Sequence, residues 1–290
     1  MEANVSAERR NGVGSQSGTC AGRAHQPHRQ AASEKKPSLA VCAMDKKAQS
    51  KPMRNLLSRL GKDYDVHVFG DRVILDDDVN DWPVCDLLIA FFSSGFPLHK
   101  AVEYVNLRQP YSVNDLELQE VLLDRRCVLT ILDAIGVPTP RRLVVHRGVP
   151  PAVSGAVVDR VRTQLGCDLL RGPFVDSEVY QPDEDTLIAN GQKLSKNFVE
   201  KPCDSECHDI NIYFAKSNGG GVRRLFRKVA NESSRYDPET PTIRDDGPYI
   251  YEELMDVDNA EDVKVYTIGP EYAYAETRKY VGTFTTSASS

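Results

Sequence analysis

Phe198-Val-Glu-Lys-Pro202 opens the stretch that decides the fold. It continues through His208, Gly219-Gly-Gly221, Leu225-Phe-Arg-Lys228, Tyr249-Ile-Tyr-Glu-Glu253 and Asp262-Val-Lys-Val-Tyr-Thr267 to Lys279. Short β-prone runs between Gly- and Pro-containing turns predict strands at Phe198–Glu200, Ile210–Phe214, Arg224–Lys228, Tyr249–Glu253, Val263–Thr267 and Tyr272–Thr277. This is an antiparallel-rich α+β half. A lysine on a strand, a glycine-rich turn, a basic strand and a glutamate pair form a set suited to a nucleoside triphosphate. Glycine lets the backbone approach a phosphate and turn its N–H groups toward it. Arg227 and Lys228 point to alternate faces of one strand and can serve two different ligands.

Upstream the texture differs. Leu39-Ala-Val-Cys-Ala43 reads as a buried parallel strand, and Pro52 precedes a helical pattern through Leu56, Leu57 and Leu60 to Gly61. Strands are expected at Val66–Phe69, Val73–Leu75 and Leu87–Phe92, and a helix at Leu98–Leu107. This order predicts an α/β sheet covered on both faces, spanning 38–114, followed by the α+β domain over 115–279. Helical periodicity returns at Leu116–Leu132 with Asp115 as its cap, then Leu143-Val-Val145 reads as a strand. Residues 147–195, with Pro150, Pro151 and Pro182, read as an irregular insertion. Residues 1–37 carry no apolar period and are expected to be disordered.

The 290 residues are 40% hydrophobic and 27% charged, an ordinary globular profile. The formal charge of −6 argues against a general nucleic-acid binder. No apolar run approaches the ~20 residues that span a bilayer, and the N-terminus lacks a secretory apolar region. Seven scattered cysteines fit a reducing compartment, so a cytosolic protein is expected. In that compartment the sequons at Asn4 and Asn231 carry no weight.

Lys46, Lys47 and Lys51 follow the first strand, at the carboxyl end where open α/β sheets bind ligands. The helix start beside them adds positive potential for a phosphorylated ligand, although alone such a cluster reads as a wet loop. Glu252 and Glu253 end a strand, where they can accept from an adenine amino group or a ribose hydroxyl, with backbone groups of Leu254 completing the contact. Lys264, between Val263 and Val265, must snorkel or pair. Cys203, Cys207 and His208 make an incomplete zinc set, and no metal ligands are assigned. Trp82 reads as a packing residue. No Ser-His-Asp arrangement, Walker A sequence, protein-kinase catalytic loop or dinucleotide fingerprint is present.

Taken in order, Ser50-Lys-Pro-Met53, Asn114-Asp-Leu116 with Asp124-Arg-Arg126, Phe198–Pro202, Gly219–Gly221 with Leu225–Lys228, Tyr249–Glu253 and Asp262–Thr267 through Lys279 resemble the inositol hexakisphosphate and diphosphoinositol pentakisphosphate kinases, which work on an ATP-grasp scaffold. The resemblance runs from about Leu39 to Lys279. It implies transfer of the ATP γ-phosphoryl group to a phosphate on an inositol ring, with ATP and Mg2+ as cofactors. By match, Arg125, Lys201, His208 and Arg227 resemble ligands of the ATP phosphates, Glu252, Glu253, Leu254 and Met255 the adenine and ribose segment, and Asp262, Val263 and Lys264 further nucleotide contacts. Lys46, Lys47, Arg227, Lys228, Lys264 and Arg278 resemble the grip on inositol hexakisphosphate or diphosphoinositol pentakisphosphate. The resemblance further implies Lys264 and Arg227 as the catalytic residues.

The chain departs from the family pattern at Gln49, at Asp45 beside Lys46, and at Ser94 before Gly-Phe-Pro. Residues 280–290 do not resemble the family's continuation, where an aspartate and an Asp-x-Asn group would hold Mg2+. The resemblance therefore implies a C-terminally truncated kinase domain, with a weak or inactive inositol-phosphate and ATP-binding module as the other reading.

Overall fold

The structure, a computed structural model, describes residues 35–172, 174–239, 242–256 and 261–279. The tail 280–290, and all but the last three residues of the leader expected to be disordered, lie outside them.

The first sheet is parallel. β1 (Ser38–Ala43) lies between β2 (Asp65–Val68) and β3 (Leu87–Phe91), and β3 also pairs with the short β4 (Tyr111–Ser112). From Leu39 to Ala43, β1 is buried on both faces, as its unbroken apolar run requires. Ala40, Cys42, Leu88 and Ala90 face a core built with Phe69, Trp82, Tyr104 and Ala101, the last two from α4 (Leu98–Arg108). Val41 and Ala43 meet Met53 of α2 (Lys51–Leu60) on the other face. Trp82 is 2% exposed and packs on Phe69 and Tyr104, a core role. α1 (Asp45–Ala48) fills the turn from β1 to α2, and Ser50 caps α2 through Met53 N.

Two expectations here need correction. Val73–Leu75 belongs to a helix, α3 (Gly70–Asp76), not a strand. Gly70 at φ 78° turns the chain out of β2, and Ile74 is buried while Leu75 is exposed, the one-sided pattern of a short helix. The helix expected at Leu116–Leu132 is two, α5 (Gln119–Leu122) and α6 (Arg125–Ala134). Asp124 between them is extended and accepts from Arg126 N, so it starts a new helix and ends the old run. Asp115 instead accepts from Leu118 N and pairs with Arg160.

The second sheet has six strands in the order β12-β11-β10-β9-β13-β5, all antiparallel. These are β5 (Arg142–Val145), β9 (Phe198–Pro202), β10 (Ile210–Tyr213), β11 (Val222–Val229), β12 (Glu232–Asp237) and β13 (Tyr249–Glu253). β12 escapes a reading by apolar alternation because its sequence, Glu-Ser-Ser-Arg-Tyr-Asp, has one apolar-bodied residue.

Residues 147–195, expected to be an irregular insertion, carry regular elements between their loops. They hold α7 (Gly155–Leu165), capped by Ser154, and a three-stranded sheet of β6 (Val179–Asp183), β7 (Thr186–Ala189) and β8 (Gln192–Ser195). Leu187, Ala189 and Leu194 pack on Leu143, Phe198, Tyr213 and Tyr251. The prolines that suggested a loop sit outside these elements or, for Pro182, at a register shift in β6. The remaining strands, β14 (Glu261–Ile268) and β15 (Tyr272–Lys279), form a two-stranded sheet. Among the described residues no helix is long and apolar enough to cross a membrane.

Candidate functional site

Strand alternation divides β9 between two faces. Glu200 lies opposite Asn211 and Tyr251, whereas Lys201 lies opposite Ile250, so the two residues project to opposite sides of the sheet. On the Lys201 side, its ammonium donates to the Glu252 carboxylate, which is 6% exposed. The pair joins two sequence candidates, a cation and an acceptor, at the centre of the sheet. Glu253 is exposed, and its N–H donates to the Arg141 carbonyl. Leu254 N–H donates to Asn197, so that amide is already engaged, and Met255 is exposed.

Arg125 opens α6 and reaches across to the segment after β9. Its guanidinium donates to the carbonyls of Pro202 (2.6 Å), Asp204, Ser205 (3.2 Å) and Cys207 (3.2 Å). Four of its five N–H groups are thus committed to backbone, and the loop they fold presents His208 to solvent. The loop continues to Glu206, whose carbonyl accepts from Arg227 at 3.1 Å and whose carboxylate lies 3.7 Å from it. Lys228 is exposed beside it.

Lys46 and Lys47 are exposed on α1 at the carboxyl end of β1, where the sequence placed them. Lys47 Nζ stands 5.5 Å above the Phe91 ring. Lys47, Ser50, Met53, Ile89 and Phe91 line one cavity of about 420 Å³, and Ile89, Phe91, Phe92, Asn114, Leu122 and Glu206 line a second of about 440 Å³. Because the two share Ile89 and Phe91, the end of β3 separates Lys47 from the Glu206–Arg227 contact.

The β14–β15 hairpin carries the remaining candidates apart from these. Asp262 holds Arg278 at 2.6 and 3.0 Å, Lys264 Nζ lies 4.4 Å over the Tyr266 ring, and Val263 is 63% exposed. Lys264 therefore snorkels over an aromatic face.

The triple glycine is a turn held from within. Gly219, Gly220 and Gly221 have φ of 90°, 66° and 77°, and the amides of Gly219 and Gly220 donate to Lys216 and Ala215. A Cβ on Gly221 would stand 2.5 Å from the Asp237 carbonyl, so close packing under β12 explains that glycine without a ligand.

Sequence reasoning missed the most buried polar group. Glu200 is 0% exposed and accepts from Arg244 Nε (2.6 Å), Arg244 N (3.0 Å), Tyr251 (2.9 Å), Asn211 (3.1 Å) and Tyr213 (3.3 Å). Burial, with Glu200 next in weight, raises the phenols of Tyr213 and Tyr251 well above the ordinary tyrosine range. Arg244 also reaches Asp209, whose carboxyl the bonded Arg224 holds below the ordinary range. The available signal was parity, since Glu200 shares a face with buried Phe198 and must be partnered there.

Among the described residues no group of three or more His, Cys, Asp or Glu is placed to hold a metal ion. The described residues therefore do not offer Mg2+ a ligand set of that kind. For ATP the fit is partial: Lys201 and Glu252 are adjacent, while Arg125 and the Leu254 amide are committed to backbone.

Residues 38–124 match the family model described as the diphosphoinositol pentakisphosphate kinase 2 N-terminal domain. The inositol hexakisphosphate and diphosphoinositol-pentakisphosphate kinase of Saccharomyces cerevisiae is 50% identical over 243 residues, covering 83% of this chain and 21% of that protein. Kinase 2 of the same name from Homo sapiens is 43% identical over 248 residues, covering 85% of this chain and 18% of that protein. The chain thus spans about a fifth of the length of these curated relatives. A solved RimK domain ATP-grasp protein from Sphaerobacter thermophilus superposes at a TM-score of 0.40 with 7% identity, covering 79% of this chain and 68% of that one, too loosely to decide the fold. Half-identity to the yeast protein over most of the chain leaves one assignment: this chain belongs to the inositol hexakisphosphate and diphosphoinositol-pentakisphosphate kinase family.

Proposed function

We propose that this chain binds an inositol polyphosphate and ATP as a module of that kinase family and turns them over weakly or not at all by itself. The observation that carries the reading is that Lys47 lines one of two adjoining cavities while Arg227 of β11 contacts Glu206, which lines the other; Lys46 and Lys228 are their exposed sequence neighbours. A polyanion favours such pre-placed cations from separate elements. In this reading Lys46, Lys47, Arg227, Lys228, Lys264 and Arg278 grip inositol hexakisphosphate or diphosphoinositol pentakisphosphate. Lys201, His208 and Arg227 meet the ATP phosphates, Arg125 braces the loop that carries His208 and adds its charge there, Glu252 to Met255 meet the adenosine, and Asp262 to Lys264 add contacts. The parallel domain, 38–114, supplies the lysine loop to an ATP-grasp domain, 115–279.

In longer family members the reaction would be transfer of the γ-phosphoryl group to a ring phosphate, which is largely positioning and charge neutralisation. Two measurements test the reading. Titration calorimetry with inositol hexakisphosphate should give a Kd on the order of micromolar, weakened by K46A/K47A. Absence of heat sinks it. Turnover with ATP and Mg2+ above a K264A control would overturn the weak-activity half.

A further inference from the structure

Glu200 and Asp209 lie on the side of the antiparallel sheet opposite Lys201, joined by two arginines into an alternating chain: Glu200, Arg244, Asp209, Arg224. Arg244 donates from Nε to Glu200 at 2.6 Å and from Nη2 to the Asp209 carbonyl at 2.9 Å, its Nη1 is 3.3 Å from the Asp209 carboxylate, and its guanidinium stacks 4.5 Å over Tyr249. Arg224 grips Asp209 with two bonds, at 2.6 and 2.7 Å. Two carboxylates and two guanidiniums cancel in charge. The cavity of about 700 Å³ beside them is lined by Arg224, Arg235, Arg244, Asp209 and Asp237, and with Glu200 bonded behind Arg244 its charges balance rather than await an anion.

Each carboxylate sits one residue from a candidate phosphate contact, Glu200 beside Lys201 and Asp209 beside His208. Adjacent residues of an extended chain share a peptide plane, so fixing one fixes the direction of the next. We propose that Arg244 is a positioning residue for nucleotide binding: from the back of the sheet it ties Glu200 to Asp209 and so sets the spacing of Lys201 and His208 on the front. The proposal rests on the reading that those two residues meet the ATP phosphates. Arg244 itself touches no candidate ligand residue. Its place is taken by neither neighbour, because Arg224 reaches Asp209 alone and Tyr251 reaches Glu200 alone.

The test compares the whole chain with R244A, R244K and Y251F. Y251F removes one bond to Glu200 and leaves the tie to Asp209, so it controls for stability lost in the same network. Calorimetry with ATP should show about a tenfold weaker Kd in R244A, the scale of one charge-assisted hydrogen bond, partial rescue in R244K, and near wild-type affinity in Y251F. Hydrogen exchange should quicken in residues 203–209 of R244A while β1 and β3 keep their protection. Equal weakening in Y251F and R244A at matched thermal stability, or unchanged ATP affinity in R244A, overturns the proposal. If the wild-type chain binds no ATP, the functional reading falls and exchange alone decides the tie: unaltered protection of 203–209 in R244A overturns it too.

Discussion

Among single residues, His146 gives the clearest pH signature. Its Nδ1 lies 3.3 Å from the Arg126 guanidinium, an N–H donor, so the imidazole must be neutral there and accept. Burial, then the Arg126 charge, holds its pKa below the ordinary 6.5. A base whose pKa is lowered by folding binds more protons when unfolded. Its contribution to stability is therefore complete above pH 6.5 and declines as pH falls from there toward the folded-state value. H146Q keeps an acceptor without the titration, so urea midpoints measured between neutral and mildly acidic pH should fall less steeply in the variant. Parallel pH profiles for the two proteins would contradict this.

Elements are held at their joints by buried ions. Asp124 caps α6 and holds Arg126, which is 7% exposed and also donates to the Val149 carbonyl. Removing the carboxylate strands a buried guanidinium, and breaking such a pair costs about 3–5 kcal/mol. D124A should lose stability on that scale in chemical denaturation, and D124N distinctly less because it keeps the cap. A loss in D124A no larger than in D124N would mean the ion pair contributes nothing. At the glycine turn, G221A should cost more stability than G219A. Both carry positive φ, but only Gly221 faces backbone at 2.5 Å, while a Cβ on Gly219 meets nothing within 4 Å. Equal thermal shifts would refute that ranking.

Legibility in the sequence followed the same physics. Leu39–Ala43, buried on both faces, and Leu87–Phe91, buried at Leu88 and Ala90, were readable as apolar runs, and Tyr249–Glu253 as a β-prone one. The three-stranded β6–β8 sheet was not, because its short strands alternate with turns and Pro182 interrupts the first. Lys201 and Glu252 were legible as candidates, but their mutual pairing depended on the β9–β13 register, which no local pattern encodes. Arg244 was illegible for a related reason: it precedes β13 in a loop and acquires meaning only through Glu200, 44 positions away.

For the whole molecule, the separation of its sheets sets what each cation can do. Lys201 stands on β9, a strand paired on both sides, and its partner Glu252 on β13 is buried and likewise flanked. Lys264 stands on a hairpin whose strands, among the described residues, pair only with each other and whose Val265, Ile268, Tyr272 and Tyr274 are exposed. A two-stranded hairpin with so little burial is marginal in water, because few buried contacts offset the entropy of holding it. Amides of β14 and β15 should therefore exchange at least about a hundredfold faster than those of β9 and β13. Comparable protection would show that something covers the hairpin in solution. A loosely held cation also contributes less to affinity, since binding must first order it. If Lys201 and Lys264 both meet ATP, K201M should weaken binding by this chain more than K264M does, with methionine chosen to keep the length of each side chain. Calorimetry giving the reverse order would place the stronger nucleotide contact on the hairpin.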